Sequence, residues 1–149
     1  MKSEFVSLLK NKLNKYGIYS IGYSKREIGQ LEDYANFALP DTYKEFLAHF
    51  GKGTGKYLDD INLYYDGVFK NRNSAKELLE EDESDFNLKE TDFVFSSYQG
   101  GQFMYFSLIE GDDPPVYYYS EGAGVPSKTS DKFSECITDI FEDVFGKLK

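Results

Sequence analysis

The chain has 149 residues, of which 40% are apolar and 29% charged, the proportions of one ordinary folded domain. Its 13 Tyr and 13 Phe, with no Trp, exclude a disordered chain, because disorder goes with few aromatics. With 17 basic against 26 acidic residues, a net charge of −9 and a pI near 4.6, the chain is unsuited to holding a phosphate backbone.

The first element in chain order is a helix from about Ser3 to Tyr16, with Phe5, Leu8, Leu9, Leu13 and Tyr16 at helical spacing. Ser24 and Glu27 form a capping-box pattern that starts a second helix with Ile28, Leu31, Tyr34 and Ala35 as its apolar stripe. Pro40 suits the first turn of a third helix, and Asp41 complements the positive end of its dipole. There Tyr43, Phe46, Leu47 and Phe50 point inward, and Gly51 stops the helix.

After Gly51 the period changes. Gly51, Gly53 and Gly55 make a turn, and a strand is expected over about Tyr57–Tyr65. A short acidic helix, Asn73 to Glu83, carries Ala75, Leu78 and Leu79 and runs into a solvated acidic stretch from Glu80 to Asp85. Three strands follow: Asp92–Tyr98, Gln102–Ile109 and Val116–Glu121, the first two joined by a tight Gly100-Gly101 hairpin. In the second strand Phe103, Tyr105, Ser107 and Ile109 share one face while Met104, Phe106 and Leu108 share the other. Both faces are apolar, so this strand belongs near the centre of the sheet. A loop with Gly122, Gly124 and Pro126 leads to the last helix, capped by Ser130, with Phe133, Ile137, Ile140, Phe141, Val144 and Phe145 on its apolar face. Helices before and after a run of antiparallel strands make an α+β domain: residues 1–149 as one unit, with about four to six strands in a mostly antiparallel central sheet.

The acidity is uneven. Residues 1–50 hold seven basic and six acidic residues, whereas residues 51–149 hold ten and twenty. A basic partner is the electrostatic complement of the second stretch. Catalytic signatures are thin. His49 is the only histidine and falls at a helix end, and the lone Cys136 sits in an amphipathic helix where it packs; it also excludes an internal disulfide or a Cys-rich zinc site. Asp59-Asp60 and Asp112-Asp113 lack the alternating oxygen donors of a calcium loop, so no metal is expected. The glycines from Gly51 to Gly55 follow a helix, not a strand, and lack the Gly-Lys-Ser/Thr ending of a phosphate loop, so no nucleotide cofactor is expected. The N-terminus lacks the apolar run of a signal peptide and no segment has the length of a membrane span, which points to the cytoplasm. Tyrosines at 64, 65, 98, 105, 117, 118 and 119 need partners for their hydroxyls if buried, or a contact role if exposed.

Leu39-Pro40-Asp41-Thr42-Tyr43-Lys44-Glu45-Phe46-Leu47, closing at Phe50-Gly51, resembles the Leu-Pro-x-x-Tyr-x-x-Phe-Leu hallmark of the SUKH superfamily. That superfamily includes the Smi/Knr-like fungal cell-wall assembly regulators and many bacterial immunity proteins. Gly100-Gly101 with Phe103 and Tyr105 resembles its central hairpin, Asp112-Asp113-Pro114-Pro115-Val116-Tyr117 its Asp-Pro-Pro-Val strand entry, and Phe133 its closing helix. Together these span roughly residues 24–145. The resemblance implies an α+β fold and a non-catalytic protein without cofactors. For bacterial members it implies an immunity protein that binds and neutralises the toxin domain of a secreted polymorphic or contact-dependent toxin. Many such toxins are nucleases with basic grooves, which an acidic protein could occlude. The contact residues expected on this reading are Glu80, Glu81, Glu83, Asp112 and Asp113, with Tyr117 and Tyr119 as aromatic anchors. The alternative is a regulatory scaffold domain for an endogenous signalling or cell-wall synthesis partner. A hydrolase working through carboxylate pairs is a third and weaker reading.

Overall fold

A computed structural model describes residues 4–52, 65–98 and 100–145. Five helices and four strands occur among them: α1 (Glu4–Lys15), α2 (Lys25–Ala35), α3 (Asp41–Phe50), α4 (Tyr65–Glu81), β1 (Asp92–Tyr98), β2 (Gln102–Ser107), β3 (Val116–Ser120), β4 (Ser127–Ser130) and α5 (Phe133–Phe145). The strands form one antiparallel sheet in the order β1-β2-β3-β4. The domain is therefore α+β, with the expected β2 in the sheet interior.

The sheet separates two apolar clusters. On one face α1, α2, α3 and α5 bury Leu9, Leu31, Phe46, Phe50, Ile137 and Phe141 against Phe93, Phe95, Phe106 and Val116. On the other, α4 buries Ala75, Leu78 and Leu79 against Val94, Phe103, Tyr105 and Tyr119. The alternation along β2 explains the division: Phe106 faces the first cluster, Phe103 and Tyr105 the second. In β1 a bulge at Phe95 interrupts the register between Val94↔Tyr105 and Ser96↔Met104. Phe93 and Phe95, two residues apart, share the first face by ordinary alternation, and the extra residue returns Ser97, which would otherwise follow them, to the second face.

Local chemistry sets the helix ends. The Ser24 hydroxyl accepts from the Glu27 N–H at 3.2 Å, and the Ser24 N–H donates to Glu27 Oε1 at 2.8 Å, completing the capping box. α3 stops at Gly51, but not through a left-handed turn, since Gly51 has φ −59°. A Cβ at Gly51 would lie 2.3 Å from the Tyr23 ring, so close approach is what demands glycine. Gly22 is tighter still: a Cβ would sit 1.8 Å from the Ala48 carbonyl oxygen, where the extended segment before α2 runs against α3. Tyr23 N–H to Leu47 O at 2.7 Å and Lys52 N–H to Ile21 O at 2.8 Å hold that segment in place.

Several expectations are corrected. α4 begins at Tyr65, not Asn73, so Tyr65 is helical and not the end of a strand. The stripe on α4 includes Asn71, a polar residue that hides the helical period; it is fully buried, and the Ser97 hydroxyl donates to its Oδ1 at 2.9 Å. The expected strand positions 57–64, Gly53, Gly55 and Asp59-Asp60 lie outside the described residues. β4 replaces part of the expected loop, so Ser130 ends a strand and does not cap α5. Ile109 leaves β2 for a turn and is 69% exposed, because Ser107 accepts from the Glu110 N–H through its carbonyl and from the Ile109 N–H through its hydroxyl. Tyr16 and Tyr34 extend their helical stripes beyond the core and are exposed, while Val6 joins α1's buried face.

Candidate functional site

Six of the seven expected contact residues fall in two places, toward opposite ends of β3, and Tyr117 lies between them. At one end α4 runs out into its acidic stretch. Glu80, Glu81, Glu83 and Asp85 are exposed, as a solvated stretch should be, but Asp82 turns inward. Its Oδ2 accepts from the Tyr119 hydroxyl at 2.5 Å and from the Gly122 N–H at 2.8 Å, latching the end of α4 to β3 and the turn after it. These two donors hold the Asp82 carboxyl below its ordinary value, and the same carboxylate raises the Tyr119 phenol. Beside the latch the Ser84 hydroxyl donates to the Gly124 carbonyl at 2.5 Å and accepts from the Phe86 N–H at 3.1 Å. Glu83 carries φ +53°, and the following N–H of Ser84 reaches back to the Leu79 carbonyl at 3.0 Å. This is the left-handed helix ending that normally selects glycine.

Tyr119 is thus not presented to solvent. It is fully buried, stacked on Phe103 with ring centroids 5.3 Å apart. Tyr117 is half-buried; its ring stacks on Tyr105 at 5.2 Å and its hydroxyl points toward Glu110 Oε2 at 3.5 Å. Burial, and then the Glu110 carboxylate, raise its phenol. Lys128 lies opposite Tyr117 in the sheet.

At the other end of β3, Asp112 and Asp113 join two helix starts. The Thr42 N–H (3.0 Å) and hydroxyl (2.8 Å) both donate to the Asp112 carbonyl, supplying an acceptor for the first turn of α3, whose Pro40 has no capping side chain. Asp113 accepts from the Ser134 N–H at Oδ1 (2.9 Å) and from the Ser134 hydroxyl at Oδ2 (2.6 Å), so it caps α5 across 21 positions of sequence. Pro114 follows, buried, and Val116 enters the core. The Asp-Pro-Pro-Val segment is therefore a staple between α3, α5 and β3. Of this pair, Asp112 alone has an exposed side chain.

The remaining candidates are placed as packing groups. Cys136 is buried, its Sγ 3.8 Å from Met104 Sδ, and burial pushes its thiol up to about 12. His49 occupies the last turn of α3 with its ring 6.3 Å from that of Phe50. Among the described residues no three His, Cys, Asp or Glu side chains gather as a metal site, and no helix is long and apolar enough to cross a membrane.

Asp82 and β4 are what sequence reasoning missed. Asp82 is one acid among several in a row, and only its alignment with Tyr119 and Gly122 distinguishes it. β4 is short and polar, without the β-branched run that marks a strand.

A sheet covered on both faces by helices, with the starts of α3 and α5 held from the strand entry, defines an α+β domain. The family model SUKH_6, SMI1-KNR4 cell-wall, matches residues 25–137, and the chain belongs to that family. No curated protein matches it.

Proposed function

We propose that this chain is an immunity protein, which binds the toxin domain of a cognate secreted toxin and neutralises it without catalysis. The observation that carries the reading is the exposed acid group Glu80, Glu81 and Glu83, held at the end of α4 by the Asp82 latch within a SUKH-family domain of net charge −9. A fixed acidic helix end complements a basic groove such as that of a nuclease, and fixing it lowers the ordering cost of contact. Glu83 strengthens the argument, since it occupies a backbone conformation that glycine would take at lower cost. Asp112 offers a second carboxylate at the far end of β3, and Tyr117 a half-exposed ring between them.

Coexpression with the product of the neighbouring reading frame, which on this reading carries the toxin domain, is the test. Rescue of growth and a one-to-one complex are expected, with association slowing as salt rises. Neither rescue nor complex would overturn the reading. The family's cell-wall description supports a second reading, a regulatory domain for an endogenous partner. Capture of such a partner without toxin rescue would favour it.

A further inference from the structure

We infer that the outer edge of β4, with the groove between it and α5, is a docking site for an extended, basic, strand-forming segment of a partner protein. The inference rests on the binding role proposed above and names a surface for it that the acid group on α4 does not include.

Ser127, Lys128 and Thr129 of β4 are exposed, and β4 pairs only with β3 among the described residues. An edge strand turns alternate N–H and C=O groups outward, and a strand laid beside it can take them up. Beside this edge lies a groove of about 440 Å³ between β4, the first turns of α5 and Phe5 of α1. Its Ser134 and Thr138 hydroxyls are already engaged, with Asp113 and the Ser134 carbonyl. Its carboxylates divide: Asp131 pairs with Lys128 at 2.9 Å, whereas Glu135 and Asp139, both exposed, make no ion pair among the described residues. These two stand four residues apart on one side of the helix, about 6 Å along the axis. Alternate side chains on a strand stand about 6.6 Å apart. A segment with Lys or Arg at every second position would therefore meet both acids while its backbone continues the sheet.

The edge is also guarded. β4 is four residues long, and Thr129 is an extra residue between Tyr117↔Lys128 and Val116↔Ser130, a bulge that bends the edge and discourages indiscriminate pairing. Selection then falls to the carboxylates. An apolar or acidic strand gains too little from so short a ladder, whereas a basic one gains both the ladder and the charges.

The probe is a capped heptapeptide, Thr-Lys-Val-Lys-Val-Lys-Thr, titrated into the full ¹⁵N-labelled chain. Saturable amide shifts centred on Ser127–Ser130 and the first two turns of α5 are expected, with slowed amide exchange in β4. The double variant Glu135→Lys, Asp139→Lys should bind at least about tenfold more weakly at low salt. The same peptide N-methylated at alternate residues should lose binding about as much, and that arm alters nothing in the protein. The inference is overturned if no saturable shift develops, if the shifts fall at Glu80–Asp85, or if the N-methylated peptide binds equally well. Peptide failure with toxin rescue intact removes this edge and leaves the immunity reading standing. Peptide binding without rescue does the reverse.

Discussion

The two faces of the sheet solve the same packing problem with different chemistry. Towards α3 and α5 the interior is a knot of rings: Phe106 stacks on Phe93 and Phe95 at 5.5 and 5.4 Å, and Tyr43 and Phe133 meet it edge-on. Towards α4 the rings are largely tyrosines, and polar partners are built in. Tyr119 is anchored on Asp82, Tyr117 points toward Glu110, and Ser97 bonds to Asn71. Inside the first face the contacts are apolar, and its polar links, Thr42 to Asp112 and Ser134 to Asp113, sit at the strand entry. The second carries polar connections to the rim, where the exposed acids stand. On the α4 side a buried ring, Tyr119, is itself hydrogen-bonded to the rim, whereas on the other side the links to the rim run through the backbone entry at Asp112 and Asp113.

The largest expected effect tests the ring knot. Phe106→Ala should destabilise the protein by about 3–5 kcal/mol, read by urea unfolding, because it opens a cavity between four rings. A loss under 1 kcal/mol would mean that the knot is not the centre of stability. Next is the staple that serves both helix starts. Asp113→Ala should cost about 1–2 kcal/mol through the lost α5 cap, with Glu80–Glu83 amide shifts unmoved.

One substitution made on both faces sharpens the contrast. The Tyr43 hydroxyl is buried with no hydrogen-bond partner among the described residues, and burial pushes its phenol well above the ordinary value. Tyr43→Phe should therefore stabilise the protein by about 1 kcal/mol, since it removes an unsatisfied buried group. Tyr119→Phe should instead destabilise it by about 1 kcal/mol, because it takes a donor from Asp82. Equal signs in thermal unfolding would erase the distinction between the faces.

The latch also gives a pH signature. Asp82 is held below its ordinary value in the folded protein, so its contribution is full above the ordinary carboxylate range and fades as pH falls through the lowered value. Asp82→Asn should flatten the acid limb of the stability profile, whereas Tyr43→Phe should leave its shape unchanged. The smallest effect is at Glu83, where Glu83→Gly should raise stability by about 0.5–1 kcal/mol by relieving the left-handed backbone. On the immunity reading the same variant should weaken toxin binding, a gain and a loss from one residue.

Where the fold draws on local patterns, the chain was legible. Ser24 and Glu27 announce α2, the alternation from Phe103 to Phe106 places β2 inside the sheet, and the Leu39–Gly51 segment identifies the family whose model covers residues 25–137. The start of α4 was not legible, because Asn71 stands where a helical stripe calls for an apolar residue and its partner, Ser97, is 26 positions away. β4 was hidden because an edge strand needs no apolar face of its own.

The candidate site divides in the same way. Composition alone placed the excess acid after residue 50 and left one histidine and one cysteine for any chemistry. Tertiary structure decided which acids are free and which are tied: Asp82 on Tyr119, Asp113 on Ser134, with Glu80, Glu81 and Glu83 left exposed. The physical reason is distance along the chain. A carboxylate's charge is a property of its residue, but its hydrogen-bond partner is set by packing, here across 37 positions for Asp82 and 21 for Asp113.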